Sequence, residues 1–325
     1  MTAMPAISHL YVRLPNWVGD VCMSLPALHL LQQADLPLAL CARPWARDLL
    51  AGLPAHDFVP MRGKVAEDRA AVAAHRRSLG PGARTGRGLL IPDSLSSALV
   101  FRLAGLRCAG FRDEGRSLLL RWPIAKPDPA LHTVQAWHYL ARTALQHWGL
   151  PVAGNGPAPT LDLPLTQAHR QAAQALLDQH GLAGRPFVLI APTAVGLHHG
   201  RVKVWPHFDA LTRALQADGH VVLMCPPPAE AEQARANAPT AALLPPLGLG
   251  AFAALAACAQ LVICNDSGVS HIAAAVSARQ LTLFGVTQAG RTGPWSPRAH
   301  GLGSDRNWPE IEAVRQTVDG LLTAG

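Results

Sequence analysis

The stretch that decides the fold reads LVICNDSG, at Leu261–Gly268, and runs directly into the Ala-rich segment Val269–Val276. An apolar, partly β-branched run is typical of a buried strand, and small polar residues with Gly268 before an apolar segment are typical of a helix start. Free backbone N–H groups and the positive end of the helix dipole then point outward together, which predicts an anion site. A second interpretation stays open, in which Asp266 or Ser267 only caps the helix and His271 is an ordinary first-turn side chain.

The same alternation of short apolar runs and helical patterns extends outward over both halves of the chain, which predicts parallel βαβ units. We expect strands at His9–Leu14, Pro37–Ala42, Asp57–Met61, Gly88–Pro92, Arg107–Phe111, Phe187–Ala191, His220–Met224, Ala241–Leu244, Leu261–Cys264 and Gln280–Phe284. We expect helices at Val21–Gln33, Trp45–Leu53, Ala66–Leu79, Ser94–Ala104, His132–Trp148, Thr166–Gly181, Pro206–Gly219, Glu230–Asn237, Ala251–Ala259, Val269–Val276 and Glu310–Leu322.

A linker is predicted where Pro, Gly and Asn crowd Pro151–Pro164. The fold class is therefore α/β, with one Rossmann-like domain over residues 1–160 and a second over residues 161–325. In the simplest assembly the two parallel sheets face an interdomain cleft. Such folds bind ligands at the carboxyl ends of their strands, so we look for chemistry in the loops that follow strands.

Composition limits the class of protein. The chain has 325 residues, of which 49% are hydrophobic and 15% charged, so a large core is expected and bulk disorder is excluded. No run approaches the roughly 18 apolar residues of a spanning helix, and residues 1–11 lack the pattern of a signal peptide. We expect a cytoplasmic protein. Six scattered cysteines without a C-x-x-C pair are typical of reduced, buried thiols.

The formal charge of +7 favours anionic partners such as nucleic acid, acidic lipid or phosphorylated small molecules. Its basic residues are scattered and not interleaved with aromatics, which argues against nucleic acid. The sequence has neither a G-x-x-x-x-G-K-[ST] phosphate loop nor a G-x-G-x-x-G fingerprint, which argues against P-loop enzymes and dehydrogenases. It also lacks a G-x-S-x-G elbow, and His198-His199 has no acidic or thiol ligand at metal spacing.

Two further segments could carry chemistry. The first predicted strand leads into Pro15–Asp20, where Gly19 allows close approach of a ligand and Asp20 stands at the start of a helix. Asp20 is either a helix cap or a general base at the mouth of the cleft. The second segment is Arg201–Pro206, in which Lys203 could neutralise a diphosphate or could simply be solvated.

Read together, these segments resemble the ADP-heptose:lipopolysaccharide heptosyltransferases, family 9 of the glycosyltransferases, in their heptosyltransferase II-like branch. The blocks that carry the resemblance stand in order and nearly end to end: Leu14–Asp20, Leu95–Gly105, Gly110–Arg112, His132, Lys203–Pro206, Asn265–Gly268, His271, Leu283–Gly285, Thr287 and Arg291–Trp295.

The resemblance implies the GT-B architecture, with the acceptor on the N-terminal domain and the nucleotide sugar on the C-terminal one. It also implies that the last helix packs on the N-terminal domain. It implies an inverting, metal-independent transfer without a cofactor, in which Asp20 takes a proton from the acceptor hydroxyl. The residues that it assigns to the donor are Lys203, Asp266, Ser267, Gly268 and His271 at the diphosphate, Thr193 at phosphate, Glu230 at the ribose and Leu247 at adenine; Asn16 and Gly19 belong to the acceptor-side loop.

The implied donor is ADP-L-glycero-D-manno-heptose, and the implied acceptor is the phosphorylated lipid A-core at the inner membrane surface, which a cytoplasmic protein would visit peripherally. Two alternatives stay open: a family relative that uses another nucleotide sugar, and a non-catalytic nucleotide-sugar-binding module. Departures from the family pattern border the donor site, at Gln280, Gln288-Ala289 and Ser270.

Overall fold

The computed structural model describes residues 7–54, 56–80, 85–113, 115–128, 130–152, 154–198 and 200–323. The chain divides into two compact units. The first comprises Met1–Arg47 and Leu53–Ala158, and the second comprises Asp48–Gly52 and Pro159–Gly325.

The first unit is built on a six-stranded parallel sheet with the order β3-β2-β1-β4-β5-β6. Its strands are β1 (Leu10–Arg13), β2 (Leu38–Ala42), β3 (His56–Pro60), β4 (Arg87–Leu90), β5 (Arg107–Phe111) and β6 (Trp122–Ile124). The helices along this part of the chain are α1 (Val18–Met23), α2 (Leu25–Gln32), α3 (Ala46–Leu49), α4 (Val65–Ser78), α5 (Leu95–Leu103) and α6 (Thr133–His147). Strands β1, β2 and β4 are buried at every residue, as expected for a parallel sheet that is covered on both faces.

The second unit repeats this plan, with the strand order β11-β10-β7-β12-β13-β14, again parallel throughout. Its strands are β7 (Val188–Ala191), β10 (Val222–Met224), β11 (Ala242–Leu243), β12 (Leu261–Asn265), β13 (Gln280–Phe284) and β14 (Ala299–Gly303), and β8 (Leu197–His198) and β9 (Arg201–Val202) form a separate antiparallel pair. The helices are α7 (Gln167–Gln179), α8 (Phe208–Ala217), α9 (Ala231–Asn237), α10 (Leu249–Cys258), α11 (Gly268–Ala275), α12 (Ala289–Thr292) and α13 (Ile311–Thr323).

The core of the second unit lies between its sheet and the helices that cover it. Trp205, Phe208 and Leu211 pack with Ile263 of β12 and Leu281 of β13 in one buried cluster. The terminal helix α13, for which packing on the N-terminal domain was expected, buries Val314 and Val318 in this same cluster. The predicted α/β fold class is confirmed.

One predicted helix is interrupted. The pattern Val21–Gln33 predicts a single helix, whereas the chain forms α1 and α2 with Ser24 between them. Pro26 explains the break, because a proline lacks an N–H and its ring clashes with the carbonyl four residues earlier, here that of Cys22. Among the described residues no helix combines the length and apolar character that a membrane span requires.

Candidate active site

In each sheet the chain reverses its direction of strand addition next to the first strand. In the first unit this switch point lies between β1 and β4, and in the second it lies between β7 and β12. Loops at the carboxyl ends of the strands flanking a switch point form the usual ligand crevice of such sheets. Asp20 follows β1, and Thr193 and Asp266 follow β7 and β12, so residues predicted from the sequence lie at both switch points.

The loop after β1 is held by a buried arginine. Arg13 is 4% exposed, and its Nη2 donates to Asn16 Oδ1 over 2.8 Å. Gly19 is buried, whereas the Trp17 side chain is 72% exposed. The hydrogen bond from Arg13 therefore holds in place the loop that carries the exposed Trp17 and leads into the first turn of α1.

Asp20 does not cap the helix. The N-cap of α1 is Trp17, which makes no side-chain cap hydrogen bond, and Asp20 lies one turn in. No hydrogen bond or ion pair of the Asp20 carboxylate is found within the described part of the chain, and burial alone raises its pKa from 3.8 to about 6. The capping interpretation of Asp20 is wrong, and the carboxylate is left poised to exchange a proton near neutral pH.

A cavity of about 80 Å³ opens beside this loop, a feature that sequence reasoning missed. Its lining comes from Arg13 at the end of β1 and from residues that follow β1, β3 and β4, among them Asn16, Asp68 and Ser94. Asp68 already accepts backbone hydrogen bonds from Arg62 (2.6 Å) and Gly63 (3.0 Å). Because these loops are far apart in sequence, only the strand order β3-β2-β1-β4 brings them to one place.

In the second unit, seven of the eight residues predicted to bind the donor lie after the carboxyl ends of neighbouring parallel strands, and the eighth, Lys203, follows β9 of the antiparallel pair. Leu247 follows β11, Glu230 follows β10, Thr193 follows β7, and Asp266, Ser267, Gly268 and His271 follow β12. One edge of one sheet therefore carries these seven.

The strand-to-helix turn has the predicted form. Ser267 is the N-cap of α11, and its Oγ accepts from the Val269 N–H over 3.3 Å. Gly268 is the first helical residue, and Ser270 Oγ donates to the Ser267 carbonyl over 2.8 Å. Asp266 and Ser267 are half-buried, and His271 is 6% exposed. Ser267 is thus a cap, and Asp266 is not.

Two of the predicted donor residues contact each other. Thr193 Oγ1 donates a hydrogen bond to Glu230 Oε2 across the ends of β7 and β10. The Thr193 side chain is buried and Glu230 is half-buried. The carboxylate of Glu230 is therefore oriented by a neighbour and is not a free surface charge.

The residue predicted to lie at adenine, Leu247, is half-buried in the segment between β11 and α10.

Lys203 is half-buried and makes no ion pair within the described part of the chain. Two residues later, Trp205 is 1% exposed, and its Nε1 donates to the Pro309 carbonyl over 2.8 Å. The Trp205 N–H donates to Asn265 Oδ1 over 2.9 Å. Asn265 is a residue to which the sequence assigned no role, although a polar residue ending an apolar strand is a signal that could have drawn attention to it.

Across the described residues, no group of three or more His, Cys, Asp or Glu side chains is arranged to hold a metal ion.

Two units, each with a parallel six-stranded sheet and polar residues at its carboxyl edge, match the GT-B fold of glycosyltransferases. The family model of glycosyltransferase family 9 (heptosyltransferase) matches residues 72–322, and the chain belongs to this family of enzymes.

Named heptosyltransferases are similar to this chain in sequence and in fold, which agrees with the family match. Lipopolysaccharide heptosyltransferase 2 of Escherichia coli strain K12 is 29% identical over 305 residues, which cover 88% of this chain and 85% of that protein. The solved structure of E. coli ADP-heptose LPS heptosyltransferase II superimposes with a TM-score of 0.77 at 25% identity, over 97% of this chain and 99% of that one. E. coli heptosyltransferase WaaC, solved with ADP-2-deoxy-2-fluoro heptose, shares the fold with a TM-score of 0.72 at 20% identity, over 96% and 99% of the two chains.

Proposed function

We propose that this glycosyltransferase moves L-glycero-D-manno-heptose from its ADP derivative to the phosphorylated inner core of lipopolysaccharide, with inversion and without a metal ion. Relatives that carry the name heptosyltransferase 2 support the reaction, and the WaaC structure with an ADP-heptose analogue supports the donor. The observation that carries the mechanism is the half-buried carboxylate of Asp20 at the switch point of the first sheet, which has no hydrogen bond or ion pair to any residue that the structure describes.

Asp20 acts as the general base. Its carboxylate takes the proton of the acceptor hydroxyl while that oxygen forms a bond to the anomeric carbon of the heptose. The bond between the anomeric carbon and the β-phosphate oxygen breaks, and its electron pair leaves with ADP. Attack on the face opposite to the leaving group inverts the anomeric configuration. A base with a pKa of about 6 is ionised at neutral pH and still accepts a proton readily.

The second unit holds the donor. The N-terminus of α11 offers backbone N–H groups and the positive end of its dipole to the diphosphate, and Lys203 adds an ammonium. Charge develops on the diphosphate as the glycosidic bond breaks, so these groups stabilise the transition state more than the ground state. We assign phosphate contacts also to Asp266, His271 and Thr193, ribose recognition to Glu230, and one wall of the adenine site to Leu247.

The acceptor belongs to the first unit, where Asn16 and Gly19 shape the loop that carries Asp20. We further propose that the enzyme works at the cytoplasmic side of the inner membrane, to which its charge of +7 attracts it.

The test is transfer to an inner-core acceptor from ADP-heptose, compared with UDP- and GDP-sugars, by the wild type and by Asp20→Asn. We expect turnover with ADP-heptose alone, and a loss of about 10²–10⁴-fold in kcat for Asp20→Asn because it removes the general base. The affinity of the variant for ADP, measured by calorimetry, stays within about twofold, which excludes misfolding.

Each alternative has its own signature. Turnover with a UDP- or GDP-sugar and none with ADP-heptose identifies a family relative with a different donor. Binding of ADP without turnover by the wild type identifies a binding module, and retained activity in a well-folded Asp20→Asn variant overturns the assignment of the base.

A further inference from the structure

Asn265, the last residue of β12, is a buried amide in an otherwise apolar strand. Its side chain is 0% exposed. Burying an amide costs free energy unless its polar atoms find partners. Here both ends of the amide have partners, and all of them are backbone groups of other segments.

The chemistry of those partners fixes the orientation of the amide. Oδ1 accepts from the Trp205 N–H over 2.9 Å, and Nδ2 donates to the carbonyls of Ala191 and Thr193, each over 3.3 Å. An N–H requires an acceptor opposite it and a carbonyl requires a donor, so the reversed orientation would break every bond. An aspartate in this place would set an oxygen against the two carbonyls.

Each segment that Asn265 contacts carries a residue of the proposed donor site. Thr193 itself is one, Lys203 stands two residues before Trp205, and Asp266 with Ser267 follows Asn265 directly. The bonded residues are 60 to 74 positions apart in sequence, so no local structure sets their spacing.

The Lys203 segment is anchored on both sides. Before it, Arg201 Nη2 donates to the Gly285 carbonyl over 3.1 Å. After it, Trp205 is held by Pro309 through its indole and by Asn265 through its backbone N–H. Of these bonds, only the one to Asn265 ties the segment to the strand that leads into α11.

We propose that Asn265 is a positioning residue of the donor site, which sets the distances among Thr193, Lys203 and the N-terminus of α11 without touching the donor. The proposal rests on the donor site of the proposed function. Removing the amide separates the ammonium from the helix terminus, so that one diphosphate no longer meets both.

The experiment measures ADP affinity by calorimetry, and KM and kcat with ADP-heptose, for Asn265→Ala and Asn265→Asp. Thr282→Val is the control, since Thr282 is also 0% exposed, lies on the adjacent strand β13, and within the described residues its Oγ1 has a single side-chain hydrogen-bond partner, Cys264 Sγ at 3.9 Å. We expect both Asn265 variants to lose about tenfold or more in ADP affinity, with the KM for the acceptor within twofold. Thr282→Val should keep the wild-type ADP affinity.

A double-mutant cycle separates positioning from general weakening. Lys203→Ala should weaken ADP binding about tenfold in the wild type and less than threefold in Asn265→Ala, because the ammonium is already misplaced there. Equal effects in both backgrounds, or an equal loss of affinity in Thr282→Val, overturn the proposal.

If the Asn265 variants do not fold, hydrogen exchange of the Trp205 amide in the wild type provides the test. Saturation with ADP should slow its exchange at least tenfold, and an unchanged rate overturns the proposal. A wild type that binds no ADP refutes the proposed function itself, whereas a wild type that binds ADP and variants that bind it equally well refute this inference alone.

Discussion

The carboxylate of Asp20 costs the folded protein free energy, because burial raises its pKa and, among the described residues, no hydrogen bond or ion pair of this carboxylate offsets the loss of water. Its backbone carbonyl accepts from the Ser24 N–H over 3.0 Å, as in a regular helix. Such local instability is common where a group must accept a proton during a reaction.

This cost predicts a pH-dependent gain in stability for Asp20→Asn. Between pH 3.8 and about 6 the unfolded chain loses the Asp20 proton while the folded chain retains it, so the contribution of Asp20 to unfolding free energy falls as pH rises through this window. We expect Asp20→Asn to have a higher Tm than the wild type at pH 7.5 and an equal Tm at pH 3.5, measured by calorimetry. A helix cap at this position would instead leave the stability of the variant nearly unchanged at both pH values, because Asn and Asp cap helices about equally well.

The sequence located the residues of the candidate site better than their interactions. Asp20 and Ser267 stand where a strand leads into a helix, Asp20 in the first turn of α1 and Ser267 at the N-cap of α11, and this feature can be read from local pattern. The hydrogen bond between Thr193 and Glu230, and the three bonds of Asn265, join residues 37 to 74 positions apart, and no local pattern encodes them.

Among the elements, helix ends were predicted where a capping residue marks them. Thr166 caps α7 as expected, with its Oγ1 accepting from the His169 N–H over 3.1 Å. The strands β6 and β14 were missed, because β6 contains Pro123 and β14 is mostly exposed and includes Gly301 and Gly303, so neither has an apolar run. The α1–α2 break was missed because both helices continue one apolar pattern.

Helix α11 allows capping to be separated from anion binding. Ser267→Ala removes the hydrogen bond from the Val269 N–H and should lower the unfolding free energy by about 1 kcal/mol, while Ser267→Gly should cost only a few tenths. Denaturant titration measures both. If the Ser267 hydroxyl also contacts the diphosphate, ADP affinity should fall severalfold in both variants; if it does not, only stability should change, and the assignment of Ser267 to the donor is wrong.

Across the whole chain, both sheets have the same strand order, in which the first strand is central and later strands add first on one side and then on the other. The alternation of strand and helix predicted two parallel sheets, since parallel strands need crossover connections. It did not predict the order, because the pairing of strands depends on contacts between helices and sheet that no single segment contains.

The net charge of the whole chain leads to a prediction about membranes. With a net charge of +7, the protein should bind to vesicles containing anionic phospholipid at 50 mM NaCl. It should dissociate at 500 mM NaCl, because salt screens the attraction between the protein and the charged surface. Vesicles of phosphatidylcholine alone are the control in a sedimentation assay. Binding that does not change with salt would contradict an electrostatic origin.

The exposed indole of Trp17 gives the enzyme a natural fluorescent probe. The described residues include all eight tryptophans of the chain, and Trp17 alone has an exposed side chain. A collisional quencher such as acrylamide therefore reaches this fluorophore first. Since Trp17 lies three residues before Asp20, shielding of its emission would report the arrival of an acceptor in unlabelled protein, in real time and before any chemistry occurs.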